Sequence, residues 1–294
     1  MIYKSESDFF QKILLLATGK NHEIRHVYFI SGGFVNQSVK VDTDSAKYFI
    51  KFNETPSGLM FTSEATSLKF LNSKLKSVII PEVIFFGEVS GRQVMVQEFV
   101  QEKAIFTPFW KNLAATISEL HQIQQDKAGL HFNNYISSLK QQNEQTDNWG
   151  QFFFERRLSV QFGLAYYNGI IEKSLFAKLD KLQPAFEKLY EPEPFSLLHG
   201  NLRKENVYSI FENQVCMVNP SIYFGNREVD LANAKLFGGF DESFFRNYEA
   251  IYPLLPGNLE RMEIYSLYPL MLYVNLYNSE SYIKHINKII DKYI

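Results

Sequence analysis

The run 198–206 places His199, a residue two positions on, and Asn206 five positions beyond that. This spacing suits phosphoryl transfer. In loops of the form His-x-Asp-x-x-x-x-Asn, the Asp accepts the proton of an attacking hydroxyl and the Asn offers an amide oxygen to a metal ion. A second Asp, closing the next short strand, binds magnesium. Here the His, the spacing and the final Asn are present, but both acidic positions hold amides, Asn201 and Asn219. An amide takes no proton at working pH, and general-base assistance is worth roughly 10²–10⁴ in rate. Magnesium prefers carboxylate oxygen, so the candidate metal positions Asn206 and Asn219 are poor ligands. Glu205 and Glu228 are the carboxylates to weigh as substitutes. The pair Arg203-Lys204 offers positive charge beside the loop, for phosphate or an anionic substrate, or simply as a solvated face.

Other residues fit the same chemistry. Ser31-Gly32-Gly33 opens a strand candidate, and Gly32 and Gly33 let backbone N–H groups approach phosphate oxygens. Lys51 stands on the next strand, placed to pair with the α- and β-phosphates, and Glu64 on the following helix is placed to hold it. Glu98, Phe99 and Val100 close a strand running toward the second half of the chain; in kinase-like folds main-chain groups just after this strand bind adenine. His199 reads as a support of its loop. Asp230 reads as a buried acceptor of backbone hydrogen bonds.

The elements that must position these residues change character along the chain. Apolar spacing predicts a helix over 8–16. Strands are expected over 24–28, 34–41 and 47–52, a helix over 61–71, and strands over 78–87 and 93–100. Beyond about residue 104, helices are expected over 109–122, 149–167 and 172–190. A hairpin of 207–211 and 215–218 turns at Glu212-Asn213. Helices close the chain over 242–248, 260–277 and 281–293. The plan is α+β with two lobes: a small antiparallel-sheet lobe over 1–100 and a larger, mainly helical lobe over 101–294, with a nucleotide cleft between them.

Composition narrows the classes. The chain has 294 residues, 46% of them hydrophobic, and a net charge of −2, so no basic footprint for nucleic acid is present. The single cysteine, Cys216, excludes an internal disulfide and reads as a buried strand residue. The apolar run 264–277 is too short to span a bilayer, and no signal-peptide pattern opens the chain. A soluble, cytoplasmic protein without a membrane partner is expected.

Taken together, the residues resemble the fructosamine/ketosamine 3-kinase family, relatives of the aminoglycoside phosphotransferases within the protein-kinase-like fold. The resemblance covers nearly the whole chain. It rests on the segments 31–36, 149–158, 197–200, 223–232 and 236–240 as well as the His199 loop. It implies ATP and Mg2+ as cofactors and transfer of phosphate to the 3-hydroxyl of a small-molecule or protein-bound ketosamine, a deglycation step. The family pattern has Asp at 201, Trp at 203 and Asp at 219; this chain has Asn201, Arg203 and Asn219. Two readings follow: a ketosamine-kinase-like enzyme of reduced activity, or a pseudokinase that binds nucleotide or sugar without efficient turnover.

Overall fold

The computed structural model describes residues 4–30, 36–54 and 59–294. The chain opens with α1 (Lys4–Thr18). A five-stranded sheet follows: β1 (Ile24–Ile30), β2 (Gln37–Thr43), β3 (Lys47–Asn53), and, after α2 (Leu59–Lys74), β4 (Val83–Val89) and β5 (Arg92–Glu98). Its order is β1-β2-β3-β5-β4, antiparallel throughout. Alternation sorts its two faces. Val39, Val41, Ile50, Phe52, Val94 and Val96 point to one side, where Phe10, Ile13 and Leu14 of α1 cover them. Lys51 and its register partner Met95 point to the other, where Phe61 and Ala65 of α2 pack on Met95. Glu64 lies on that same helical face, so packing of α2 brings its carboxylate to Lys51.

The expected strand over 78–87 begins only at Val83. Pro81 has no N–H for a ladder, and Ile79 makes a parallel bridge to Cys216 instead. Of the strand expected over 34–41, residues 34 and 35 lie outside the described residues, and the pairing runs on to Thr43.

The rest of the chain is mainly helical. It comprises α3 (Thr107–His121), β6 (Gln124–Gln125), β7 (Asn134–Ile136), β8 (Leu139–Gln141), α4 (Trp149–Gln151), α5 (Ser159–Tyr167), α6 (Lys173–Ala177), α7 (Leu179–Leu189), β9 (Phe195–Leu198), β10 (Val207–Ser209), β11 (Val215–Met217), β12 (Tyr223–Gly225), α8 (Glu228–Phe237), α9 (Glu242–Ile251), α10 (Asn258–Tyr265), α11 (Leu267–Tyr277) and α12 (Glu280–Tyr293). Between α4 and α5 the backbone forms a π-helix, Phe152–Leu158. It carries Phe152 and Phe153 onto Trp149 in stacked contacts and buries Arg157 4.1 Å from the Tyr223 ring centroid. The continuous helices expected over 172–190 and 260–277 each break in two. The turn at 211–213 places Glu212 and Asn213 at positive φ, joining β10 and β11 as a hairpin.

Several elements were not expected, β9 and α8 foremost among them. β9 is the middle strand of the sheet β12-β9-β6 and is buried along its length. Helix α8 is buried from Glu228 through Ala234, so it shows no polar face. The order of a small antiparallel sheet followed by a mainly helical part is the α+β plan that the sequence suggested. Among the described residues, no helix is long and apolar enough to cross a membrane.

Candidate functional site

The loop after β9 is held from below by a carboxylate. Asp230, fully buried on α8, accepts the N–H of His199 at 2.7 Å through Oδ2 and that of Gly200 at 3.0 Å through Oδ1. His121 and Tyr248 extend this support, with contacts of 3.3 Å to Asp230 and 2.8 Å to each other. Burial lowers the pKa of His199 below its ordinary value, against the opposing pull of Asp230. A neutral ring suits its partners: Nδ1 accepts from Asn201 N–H at 3.3 Å, and Nε2 donates to Val218 O at 3.2 Å. Gly200 has φ +73°, and a Cβ there would lie 2.0 Å from Ser221 O, so only glycine fits.

Lys51, Asn201, Asn206 and Asn219 come together although they are far apart in sequence. Lys51 Nζ donates to Glu64 Oε1 and to Asn219 Oδ1, each at 2.5 Å. Asn219 Nδ2 donates to Asn206 Oδ1 at 2.8 Å, and Asn206 Nδ2 donates to Asn201 O at 2.8 Å. Asn201 Nδ2 donates to Asn219 O at 3.2 Å, closing the ring. Each amide orientation is dictated by its neighbour: the ammonium demands an oxygen, so the amide nitrogen of Asn219 faces Asn206. Asn219 sits at φ 52°, a left-handed conformation that Asn and Asp tolerate.

This donor set does not fit magnesium. The amide oxygens of Asn206 and Asn219 each already accept a protein N–H, and neither side chain brings the negative charge that magnesium favours. Among the described residues, no cluster of three His, Cys, Asp or Glu is placed to hold a metal. The substitutes are committed elsewhere. Both oxygens of fully buried Glu228 bind Arg261, at 2.6 and 2.8 Å. Glu205 turns outward to Arg203 at 3.1 Å. Phosphate is another matter. Lys51 uses two of its three ammonium protons on Glu64 and Asn219, leaving one for an anion.

The remaining predicted residues divide. Gly32 and Gly33 lie outside the described residues. At the end of β5, Glu98 N–H donates to Glu82 O at 3.0 Å and Phe99 N–H to Lys47 O at 3.4 Å. Of the three, only Val100 has no backbone acceptor for its N–H among the described residues. Lys40 of β2 stands 5.1 Å from the Phe99 ring centroid, a contact with no signal in sequence spacing. A further group also escaped notice. Asn233, Phe237, Tyr268 and Tyr273, from α8 and α11, line a cavity with Asn201 and Arg203. Chain distance hid them.

Known proteins are similar to this chain over its length. A family model described as fructosamine kinase matches residues 8–294. A probable ketoamine kinase of Vibrio parahaemolyticus is 32% identical over 271 residues, covering 90% of this chain and 91% of that protein. The crystal structure of a candidate fructosamine-3-kinase from Haemophilus somnus 129PT superposes with a TM-score of 0.89 at 29% identity, covering 98% of this chain and 97% of that one. A thermostable mutant of aminoglycoside phosphotransferase APH(4)-Ia, in ternary complex with AMP-PNP and hygromycin B, shares the fold at a TM-score of 0.66 and 14% identity, covering 96% of this chain and 97% of that one.

Proposed function

The chain belongs to the fructosamine kinase family, and from that premise we propose that it binds a nucleotide and a sugar-amine in a kinase-type cleft without efficient phosphoryl transfer. The family and the fold support a kinase-like function. The observation that carries the finer reading is the ring Lys51–Asn219–Asn206–Asn201, in which neutral amides, hydrogen-bonded to one another, hold the two positions where the family pattern has Asp.

The ring favours one half of the chemistry and disfavours the other. Lys51, fixed by Glu64, offers charge to a phosphate oxygen, and neutral amides do not repel the phosphate chain as carboxylates do. Val100 N–H is the donor left for a base edge at the end of β5. Asn201 cannot take the proton of a sugar hydroxyl, which removes a contribution of roughly 10²–10⁴ in rate. No carboxylate replaces Asp at 219, so charge developing on the transferring group loses its metal-borne stabilisation. Catalysis fails on both counts while ground-state binding survives.

The test is turnover. Purified protein with ATP, Mg2+ and a fructosyl-amine should release ADP at least about 10²-fold more slowly than the variant Asn201→Asp with Asn219→Asp. Rapid magnesium-dependent phosphorylation by the unaltered chain would refute the proposal.

A further inference from the structure

The cavity beside Asn201 has features that phosphate binding leaves unused. Asn233 on α8 is only 8% exposed, and its Oδ1 is buried without a hydrogen-bond partner. Such an atom is uncommon inside a folded protein unless a ligand or water meets it. Arg203 lines the same cavity. Its guanidinium carbon lies over Phe237 and Tyr273, at 4.7 and 5.1 Å from their ring centroids. One Nη binds Glu205, itself 67% exposed, while Nε is buried and unpaired. The rest of the lining is largely apolar and aromatic, with the Tyr268 hydroxyl donating to Gln141 at 2.8 Å. The cavity, about 30 Å³, is room for two or so water-sized groups, the size of a carboxylate.

We propose that this cavity binds the carboxylate-bearing end of a small polyhydroxylated ligand, with the carboxylate on Arg203 and a ligand hydroxyl or amine donating to Asn233 Oδ1. In chemical class, the ligand is a ketosamine formed on the amine of a free amino acid, rather than one on a protein lysine. The sugar-amine part of this inference rests on the reading above, and the anionic part on Arg203 and Asn233. A planar guanidinium presents its N–H groups in the fork that a carboxylate matches. Aromatic faces suit the C–H faces of the ligand.

Calorimetric titration of the full chain with fructosyl-glycine and with fructosyl-propylamine, which lacks the carboxylate, tests the proposal. Fructosyl-glycine should bind roughly 10- to 100-fold more tightly, the scale of one hydrogen bond to a charged group. Arg203→Met should bring it down to the uncharged ligand, and Arg203→Lys should keep part of the preference. The melting shift given by ATP serves as the folding control for both variants. Equal affinities for the two ligands, binding of neither, or indifference to Arg203→Met would overturn the inference while leaving the nucleotide reading standing. Absence of any ATP shift in the unaltered chain would instead refute the nucleotide reading.

Discussion

Nucleotide binding by this chain should be independent of magnesium, and a single atom explains why. Changing Asn219 to Asp exchanges Nδ2 for an oxygen. The left-handed backbone at 219 accepts the change without strain, and one carboxylate oxygen keeps the contact to Lys51. The other then faces Asn206 Oδ1 across the present 2.8 Å hydrogen bond with no proton between them. Leaving an acceptor unpaired there costs about 1–3 kcal/mol in the absence of metal. For a chain of this size that lowers Tm by roughly 2–4 °C per kcal/mol. A divalent cation between the two oxygens relieves the clash. A phosphate charge about 4 Å from the new carboxylate also meets a repulsion of order 4 kcal/mol at an effective dielectric of 20, so the variant should need the cation to bind ATP. Thermal melting with ATP in Mg2+ and in EDTA reads both effects. The unaltered chain should show the same ATP shift in both buffers, to within about 1 °C, or roughly half a kcal/mol. Asn219→Asp should melt lower in EDTA, recover with Mg2+ and shift with ATP only when Mg2+ is present. A strong magnesium requirement in the unaltered chain, or no gain from Mg2+ in the variant, would refute the argument from the amide ring.

Lys51→Met should abolish the ATP shift. It should also destabilise the protein by about 1–3 kcal/mol, because Glu64 Oε1 and Asn219 Oδ1 lose their shared donor; urea denaturation and ATP titration measure the two effects. Gly200→Ala forces a Cβ against Ser221 O at positive φ and should cost more than about 1–2 kcal/mol, read as a fall in the urea midpoint with unchanged slope. His199, whose folded pKa is depressed from 6.5 by burial, contributes stability above that value. The contribution is lost as pH falls from 6.5 toward the folded pKa, where the unfolded chain binds the extra proton. The Tm of His199→Gln should therefore vary less than that of the unaltered chain between pH 6.5 and 5.

Much of this protein was legible in its residue order. Enrichment in β-branched and aromatic residues over 34–41, 47–52 and 93–100 marked strands of the sheet; the structure then sets Lys51 on the face opposite Ile50 and Phe52, because a strand's side chains change sides at every step. The spacing of His199, Asn201 and Asn206, with Asn219 after the next strand, gave the phosphotransfer loop and its two missing charges. Sequence left α8 invisible, since a helix buried from Glu228 to Ala234 has no polar face to reveal its period. It also left Glu228 open as a substitute ligand, a role decided by Arg261, 33 residues away. Amide chemistry is written in single residues, but which way each amide turns depends on its neighbour across the fold. Only tertiary packing, by placing Lys51 against Asn219, turned Asn219's nitrogen toward Asn206 and closed the amides into a hydrogen-bonded ring. The cavity of Arg203 and Asn233 likewise exists only where α8 meets α11, since side chains some 30 to 70 positions apart meet by packing and not by spacing.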